Sequence, residues 1–300
     1  MKKIILSTLL IVLIPFFVTK ILVRTEKINY KYITNKNIKV KDEKTGTITE
    51  IPFEKYLIGV VSGEMPATFE KEALKAQAIA SRSYALYHMN GKEYDVTNTT
   101  SNQVYLKDEE LRQKWNEKYD ENKKKITEAV METEGEYLSY NGEIVNAMFF
   151  STSVGKTENS EEVFVSKVPY LRSVSSSWDE ASPVYTDQYN IELKNFYNLL
   201  NLEYNEKLNI EVLERTSTGR VKKIKINEIE LNGREVSSKL KLRSNYFEII
   251  QKEKTVLINT KGFGHGVGMS QYGANGMAKE GYNCEEILKH YYEGTEISKM

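Results

Sequence analysis

Apolar and polar positions change rhythm several times along this chain. Residues 4–18 are an apolar run behind Lys2 and Lys3, and Ile21–Val23 extend it past Lys20. That length approaches the ~20 residues needed to span a bilayer. No small-residue cleavage site follows, so the pattern predicts an uncleaved N-terminal anchor over 1–24, with the rest of the chain outside the membrane. Residues 24–50 are polar and read as a strand-turn-strand or a spacer. From Ile51 the chain turns compact and apolar, in "PFEKYLIGVVSGEMP". A long alanine-rich helix is predicted next, capped by Thr68 and running to about Met89, where Asn90-Gly91 stops it. Its buried stripe is Leu74, Ala78, Ser81 and Ala85. Lys75, Arg82 and Met89 repeat every seven residues and share a different face.

Residues 94–105 read as a polar loop, and the highly charged residues 108–134 as solvated helices. Asn141-Gly142 between β-rich runs is a hairpin signal. A Ser/Thr/Gly/Asn loop follows from Ser151 to Asn159. Residues 185–260 read as hairpins turning at Gly219 and Asn232-Gly233. A Gly-rich loop and a final helix near 284–292 close the chain. This order predicts an α+β fold. A helix-containing catalytic core would span 25–184 and 261–300 and carry a deep groove; 185–260 would form a β-rich subdomain.

Composition adds limits. Formal net charge is zero and charged residues are 28%, so nothing points to nucleic acid. The 20 tyrosines suit sheets and sugar stacking alike. Cys284 is the single cysteine, which excludes an intramolecular disulfide; with no Cys/His cluster, no metal site is expected.

Three clusters carry candidate chemistry. In "GFGHGVGMSQYG", glycines alternate around His265, and Ser270, Gln271 and Tyr272 follow; such a loop suits a polar neutral ligand or a tight structural turn. Ser151 and Ser153 with His265 suggest a hydrolase, but no G-x-S-x-G elbow supports one. Glu64 ends an apolar run just before Pro66. A buried glutamate has its pKa raised and suits general acid catalysis. Glycosidases of the usual kinds need a second carboxylate, and only Asp95 and Asp179 offer themselves. A lone carboxylate suffices where the sugar supplies its own nucleophile. Spacing leaves Glu64 evenly divided between that role and a helix-flanking acid.

Four blocks then identify a resemblance: "IGVVSGEMPATFEKEALKAQAIASRSYAL", "NAMFFSTSVGKTENSEEVF", "PYLRSV" with "SSWD", and "GFGHGVGMSQYGANGMAKEGYNCEEILKHYYEGTEI". Together they resemble the stage II sporulation protein D family, whose superfamily includes amidase enhancers, over roughly residues 35–297. The resemblance implies a lytic transglycosylase that cleaves peptide-stripped peptidoglycan between MurNAc and GlcNAc and leaves 1,6-anhydro-MurNAc ends. It places the catalytic glutamate at Glu64 and basic groups near the groove at Lys75 and Arg82, and it carries Tyr170. Ser151, Tyr170, His265, Ser270, Gln271 and Tyr272 would line the groove. No cofactor is implied. Implied partners are glycan strands, a membrane-anchored amidase/endopeptidase (stage II sporulation protein P) and stage II sporulation protein M, acting during forespore engulfment between the two membranes. Two departures stand out. Val154 replaces a usual glycine in "STSVGKTE", and loop 94–105 lacks the Cys and His that suit zinc in some members. A non-enzymatic module that stimulates an amidase is the alternative.

Overall fold

The computed structural model describes residues 36–300; the anchor expected over 1–24 lies outside them. No helix among the described residues is long and apolar enough to cross a membrane. β1 (Asn37–Lys41) and β2 (Ile48–Pro52) pair antiparallel from Asn37↔Pro52 to Lys41↔Ile48, which settles 36–52 as strand-turn-strand. β3 (Val96–Thr97) joins β1 in parallel. Helix α1 (Phe53–Glu64) starts directly after Pro52, whose fixed φ suits a helix entrance. It buries Phe53, Tyr56, Leu57, Val60 and Val61.

Helix α2 (Lys71–His88) starts later than the sequence suggests. Thr68 does not cap it. The cap position is Glu70, whose N–H donates to Asn275 Oδ1 at 2.8 Å, so a distant side chain does the capping. Ala73, Ala76, Ala78, Ala80 and Ala85 are buried, and their small size lets neighbouring backbones close in. Helices α3 (Asp108–Trp115) and α4 (Tyr119–Glu132) follow. α4 is not simply solvated. Ile126, Ala129 and Val130 recur at helical spacing and are fully buried, with α4 packed on α1 and α2. Burying Ile126 alone is worth about 1.5–3 kcal/mol.

β4 (Glu136–Tyr140) and β5 (Glu143–Ile144) form the hairpin at Asn141-Gly142, both with positive φ (52° and 82°). β6 (Phe149–Phe150) and the short α5 (Ser160–Val163) flank the Ser/Thr loop. Next come β7 (Thr186–Glu192), α6 (Leu193–Leu200), β8 (Ile210–Arg215), β9 (Val221–Ile226) and β10 (Ile229–Asn232). α7 (Gly233–Lys239), β11 (Phe247–Lys252) and β12 (Thr255–Lys261) follow, then β13 (Met269–Ser270), α8 (Gln271–Lys279), α9 (Cys284–Tyr291) and β14 (Glu296–Lys299). Strand orders are β2-β1-β3, β14-β4-β5, β13-β6, β11-β12-β7 and β10-β9-β8. The fold is α+β.

Asn232-Gly233 is not a hairpin turn. Asn232 caps α7, accepting from the N–H groups of Arg234 and Glu235. Gly233 is required because a Cβ there would lie 2.1 Å from the Val221 carbonyl oxygen. The β9–β10 turn instead uses Asn227 at φ 52°. An asparagine that caps and one that turns look alike in sequence.

Two hydrophobic clusters result. One gathers α1, α2, α4, α8 and α9 with their strands; the other gathers Leu193 to Ile258. A buried ion pair stands among three segments that bracket them. Glu158 and Arg220 are both fully buried, with Oε1 3.4 Å from Nε. Thr216 and Thr218 donate to Glu158 Oε1, Arg220 Nη1 donates to Gly264 O at 2.8 Å, and Glu158 N–H donates to Gly266 O at 2.7 Å.

Arg82 requires a correction. It is fully buried, donates to both Glu54 carboxylate oxygens (3.0 and 2.6 Å) and to Glu136 O at 2.8 Å, and does not line a groove. Its face of α2 turns towards α1 and α4, so the guanidinium joins helices rather than meeting solvent. Removing one partner strands a buried charge. Arg82→Met is therefore expected to cost about 3–5 kcal/mol in urea unfolding, and Arg82→Met with Glu54→Leu markedly less.

Candidate active site

Glu64 closes α1, and what lies against that end defines its surroundings. Gly59 and Gly63 face the segment 102–106. A Cβ on Gly63 would sit 2.3 Å from the Val104 carbonyl oxygen, and one on Gly59 2.4 Å from the Tyr105 ring. The two glycines let this segment lie directly on the helix. The Val104 N–H then reaches Glu64 Oε1 at 2.6 Å. Gln271, the first residue of α8, hydrogen-bonds the same carboxylate.

Behind these groups runs a polar lattice. Gln271 Nε2 donates to Gln77 Oε1 at 3.4 Å, and Gln77 Nε2 to Ser81 Oγ at 2.9 Å. Tyr56 OH donates to Gln103 Oε1 at 3.0 Å, and Gln103 Nε2 to Ser81 O at 3.3 Å. Asn102 Nδ2 donates to Tyr84 OH at 3.1 Å. Gln77, Ser81 and Tyr84 are spaced by four and three residues, so they form one face of α2. Gln77 lies two residues, about 200° of helical rotation, from Lys75.

Lys75 and Arg82 therefore look the other way. Lys75 pairs with Glu72 at 2.9 Å and lines a separate hollow with Glu132, Glu136 and Cys284. Neither basic residue contacts Glu64. The cation beside it is Lys114 on α3, which no motif in the sequence singles out. Lys114 Nζ donates to Ser62 O, near the C-terminus of α1, at 2.8 Å.

Burial raises the Glu64 pKa. The Val104 N–H, the Gln271 side chain and the Lys114 charge each oppose that rise without cancelling it. Burial lowers the Lys114 pKa, against the pull of Glu64. The candidate second carboxylates are engaged elsewhere. Asp95 Oδ2 accepts from Lys39 N–H at 2.8 Å beside β1. Asp179 is fully buried and accepts from Ser176 Oγ at 2.6 Å and Ser270 Oγ at 2.5 Å; burial raises its pKa too.

Asp179 nonetheless supports the site. Ser270 caps α8, accepting from Gly273 N–H, while its hydroxyl proton goes to Asp179. The capped turn starts with Gln271, so the "SSWD" block fixes the residue that touches Glu64. Ser151 O accepts from Tyr272 N–H at 3.0 Å and lies 3.2 Å from Ser270 Oγ, which joins the Ser/Thr loop to α8. His265 is held by its own loop. Its Nδ1 accepts from Val267 N–H at 3.1 Å, so Nε2–H donates to Phe149 O at 3.0 Å. Burial and the Arg220 charge push its pKa down to about 4, so it stays neutral. With both ring nitrogens engaged, it does not serve as base to Ser151, whose hydroxyl lies 3.3 Å from Thr152 Oγ1. Tyr170 packs on Tyr140, centroids 5.5 Å apart, and its hydroxyl accepts from Asn146 N–H at 3.2 Å. Val154 fits without strain: its φ is not positive, and it packs against Gly262, where a Cβ would lie 2.9 Å from Val154 Cγ1.

The site is thus a partly buried carboxyl held between two hydrogen-bond donors, at the end of a helix packed on a polar lattice. Comparison with known proteins gives the chain a family. The Stage II sporulation protein family model matches residues 41–140, which include Glu64 and α2. The chain is 43% identical to stage II sporulation protein D of Bacillus subtilis over 261 residues, covering 84% of this chain and 76% of that one. It is 42% identical to the Bacillus amyloliquefaciens protein of the same name, with the same shares covered. It is also 29% identical to the amidase enhancer of Bacillus subtilis, covering 81% of this chain and 40% of that one. The chain belongs to the stage II sporulation protein D family.

The raised pKa has a consequence for stability. A carboxyl whose folded-state pKa lies above its unfolded value contributes stability below the unfolded pKa and loses it as pH rises through the folded one. At neutral pH the Glu64 carboxylate is thus a cost that an amide in its place does not carry. Glu64→Gln is expected to melt at a higher temperature than the wild type at pH 7. The gap should close below about pH 4, where unfolded-state glutamate is protonated as well. Thermal unfolding across pH checks this.

Proposed function

We propose that this chain is a lytic transglycosylase that cuts peptide-stripped glycan strands of peptidoglycan, with Glu64 as its single acid and base. The observation that carries the reading is the partly buried Glu64 carboxyl, whose pKa is raised by burial while Val104 N–H and Gln271 hold it in place. A group so placed keeps its proton to higher pH than an exposed glutamate does, which suits it to give that proton. Glu64 donates that proton to the glycosidic oxygen leaving C1 of MurNAc, and the C1–O bond breaks. The C6 hydroxyl of the same ring attacks C1, and Glu64 takes its proton. The product is a 1,6-anhydro-MurNAc end, and no water is consumed. The engagement of Asp95 and Asp179 elsewhere favours this route over one that needs two carboxylates.

In this reading the chain works in sporulation. It is anchored through residues 1–24 in the space between mother-cell and forespore membranes. Its partners are stage II sporulation proteins P and M, the first of which strips the strands. A second reading, a glycan-binding module that stimulates an amidase, is favoured by the likeness to the amidase enhancer. Denuded strands incubated with each protein and analysed by mass spectrometry separate the two. Anhydro ends from the wild type, lowered at least about 100-fold in Glu64→Gln, are expected. Equal product from both proteins sinks catalysis by Glu64, and product from neither leaves the binding module.

Lys114 supplies a pH test. Its charge lowers the Glu64 pKa, so Lys114→Met raises it further. The first step needs protonated Glu64, and kcat/KM falls as pH rises through that pKa. The variant's alkaline limb is expected at higher pH than the wild type's. A limb that stays in place assigns it to another group.

A further inference from the structure

A second hollow opens on the segments that follow Glu64 and Gln271 in sequence. A cavity of about 360 Å³ lies between the α1–α2 connection and α8, walled by Pro66, Thr68, Phe69, Trp178, Tyr272 and Lys279. Pro66 is two residues from Glu64, so their Cα atoms are within roughly 7.6 Å, and Tyr272 directly follows Gln271. The cavity is thus walled by the residues that closely follow Glu64 and Gln271 in sequence.

Its walls are braced and carry few charges. Tyr272 stands edge-on to Phe69, centroids 4.9 Å apart. Trp178 is seated on α8 because residue 276 is glycine; a Cβ there would lie 2.3 Å from the Trp178 Cβ. Tyr282 and His290 meet the indole edge-on at 6.2 and 5.5 Å. Rigid, partly exposed rings of this kind suit the C–H faces of a sugar. Asn275, also on the wall, is 6% exposed and uses its Oδ1 to hold Glu70 N–H; its Nδ2 donors have no protein partner among the described residues. Lys279 is exposed and forms no ion pair among the described residues, whereas Lys75 and Lys289 are paired with Glu72 and Glu285.

We propose that this cavity is a subsite for a sugar bearing a carboxylate, with Trp178 and Tyr272 against the ring and Lys279 on the carboxylate. The proposal rests on the glycan reading of Glu64 and sharpens it. A muramic residue stripped of its peptide carries a free lactyl carboxylate. With the peptide attached that group is an amide, and N-acetylglucosamine has none. Lys279 therefore favours stripped muramic sugars over both.

The test is binding, measured by calorimetry on the full-length Glu64→Gln chain, which leaves its probes intact. The probes are a peptide-free tetrasaccharide of alternating GlcNAc and MurNAc, and chitotetraose. The muramic probe is expected to bind more tightly. Adding Lys279→Met should shrink that preference by roughly two- to fivefold, the range of an exposed ion pair, while Lys279→Arg should keep it. An unchanged preference in Lys279→Met, equal binding of the two probes, or binding of neither overturns the subsite. Failure of the wild-type chain to make anhydro ends removes the catalytic reading alone, because the preference is read without turnover.

Discussion

The constraint on which the site depends is the contact of residues 102–106 with the last two turns of α1. Two helical glycines make it possible, and no side chain could replace either without moving the Val104 carbonyl or the Tyr105 ring. Glycine inside a helix costs about 0.5–1 kcal/mol relative to alanine, so the helix gives up local stability for proximity. What it gains is a backbone donor at 2.6 Å from Glu64. A backbone N–H carries no net charge. It orients the carboxyl and opposes the rise in pKa more gently than an ion pair would, so the group remains able to hold a proton.

Helix α2 divides the labour between its faces. Lys75 and Arg82 serve charge pairs on one side, and Arg82–Glu54 locks that side to α1 and β4. Gln77, Ser81 and Tyr84 supply neutral hydrogen bonds on the other. Neutral groups behind a carboxyl leave its pKa governed by burial. Cations there would have held it ionised. The seven-residue repeat of the basic residues marked a real face of the helix. It was the wrong one for the site, because charge is conspicuous in sequence and amides are not. The spacing of Gln77, Ser81 and Tyr84 was equally available.

The limits of the sequence follow the same logic. The hairpin at Asn141-Gly142, the end of α2 and the final helix at Cys284–Tyr291 depend on a few adjacent residues and were legible. Glu64 was legible as a candidate through its apolar flank. Features set by distant partners were not: the Asn275 cap on α2, the Asn232 cap on α7, the burial of α4 and the approach of Lys114. In each, a polar residue takes its meaning from a group far away in sequence. Val154 shows the converse. It stands where the family usually has a glycine, yet the backbone there does not enter the positive-φ region, whereas Gly262 across the contact does.

Helices α1 and α8, more than 200 residues apart in sequence, meet at Glu64 through Gln271. Asp179 is buried with its carboxyl on the hydroxyls of Ser270 and Ser176, and Ser176 in turn meets Tyr291 OH at 2.7 Å. Gly273 leaves room for this cluster; a Cβ there would strike both Tyr291 OH and Ser176 Oγ. The first turn of α8 is thereby fixed from behind by groups that do not face Glu64. The loop holding His265 is fixed in the same manner, through Arg220 on Gly264 and Glu158 on Gly266. Glu158 and Asp179 are thus both spent on holding backbone, whereas Glu64 stays partly exposed and is met by Val104 N–H and the Gln271 side chain.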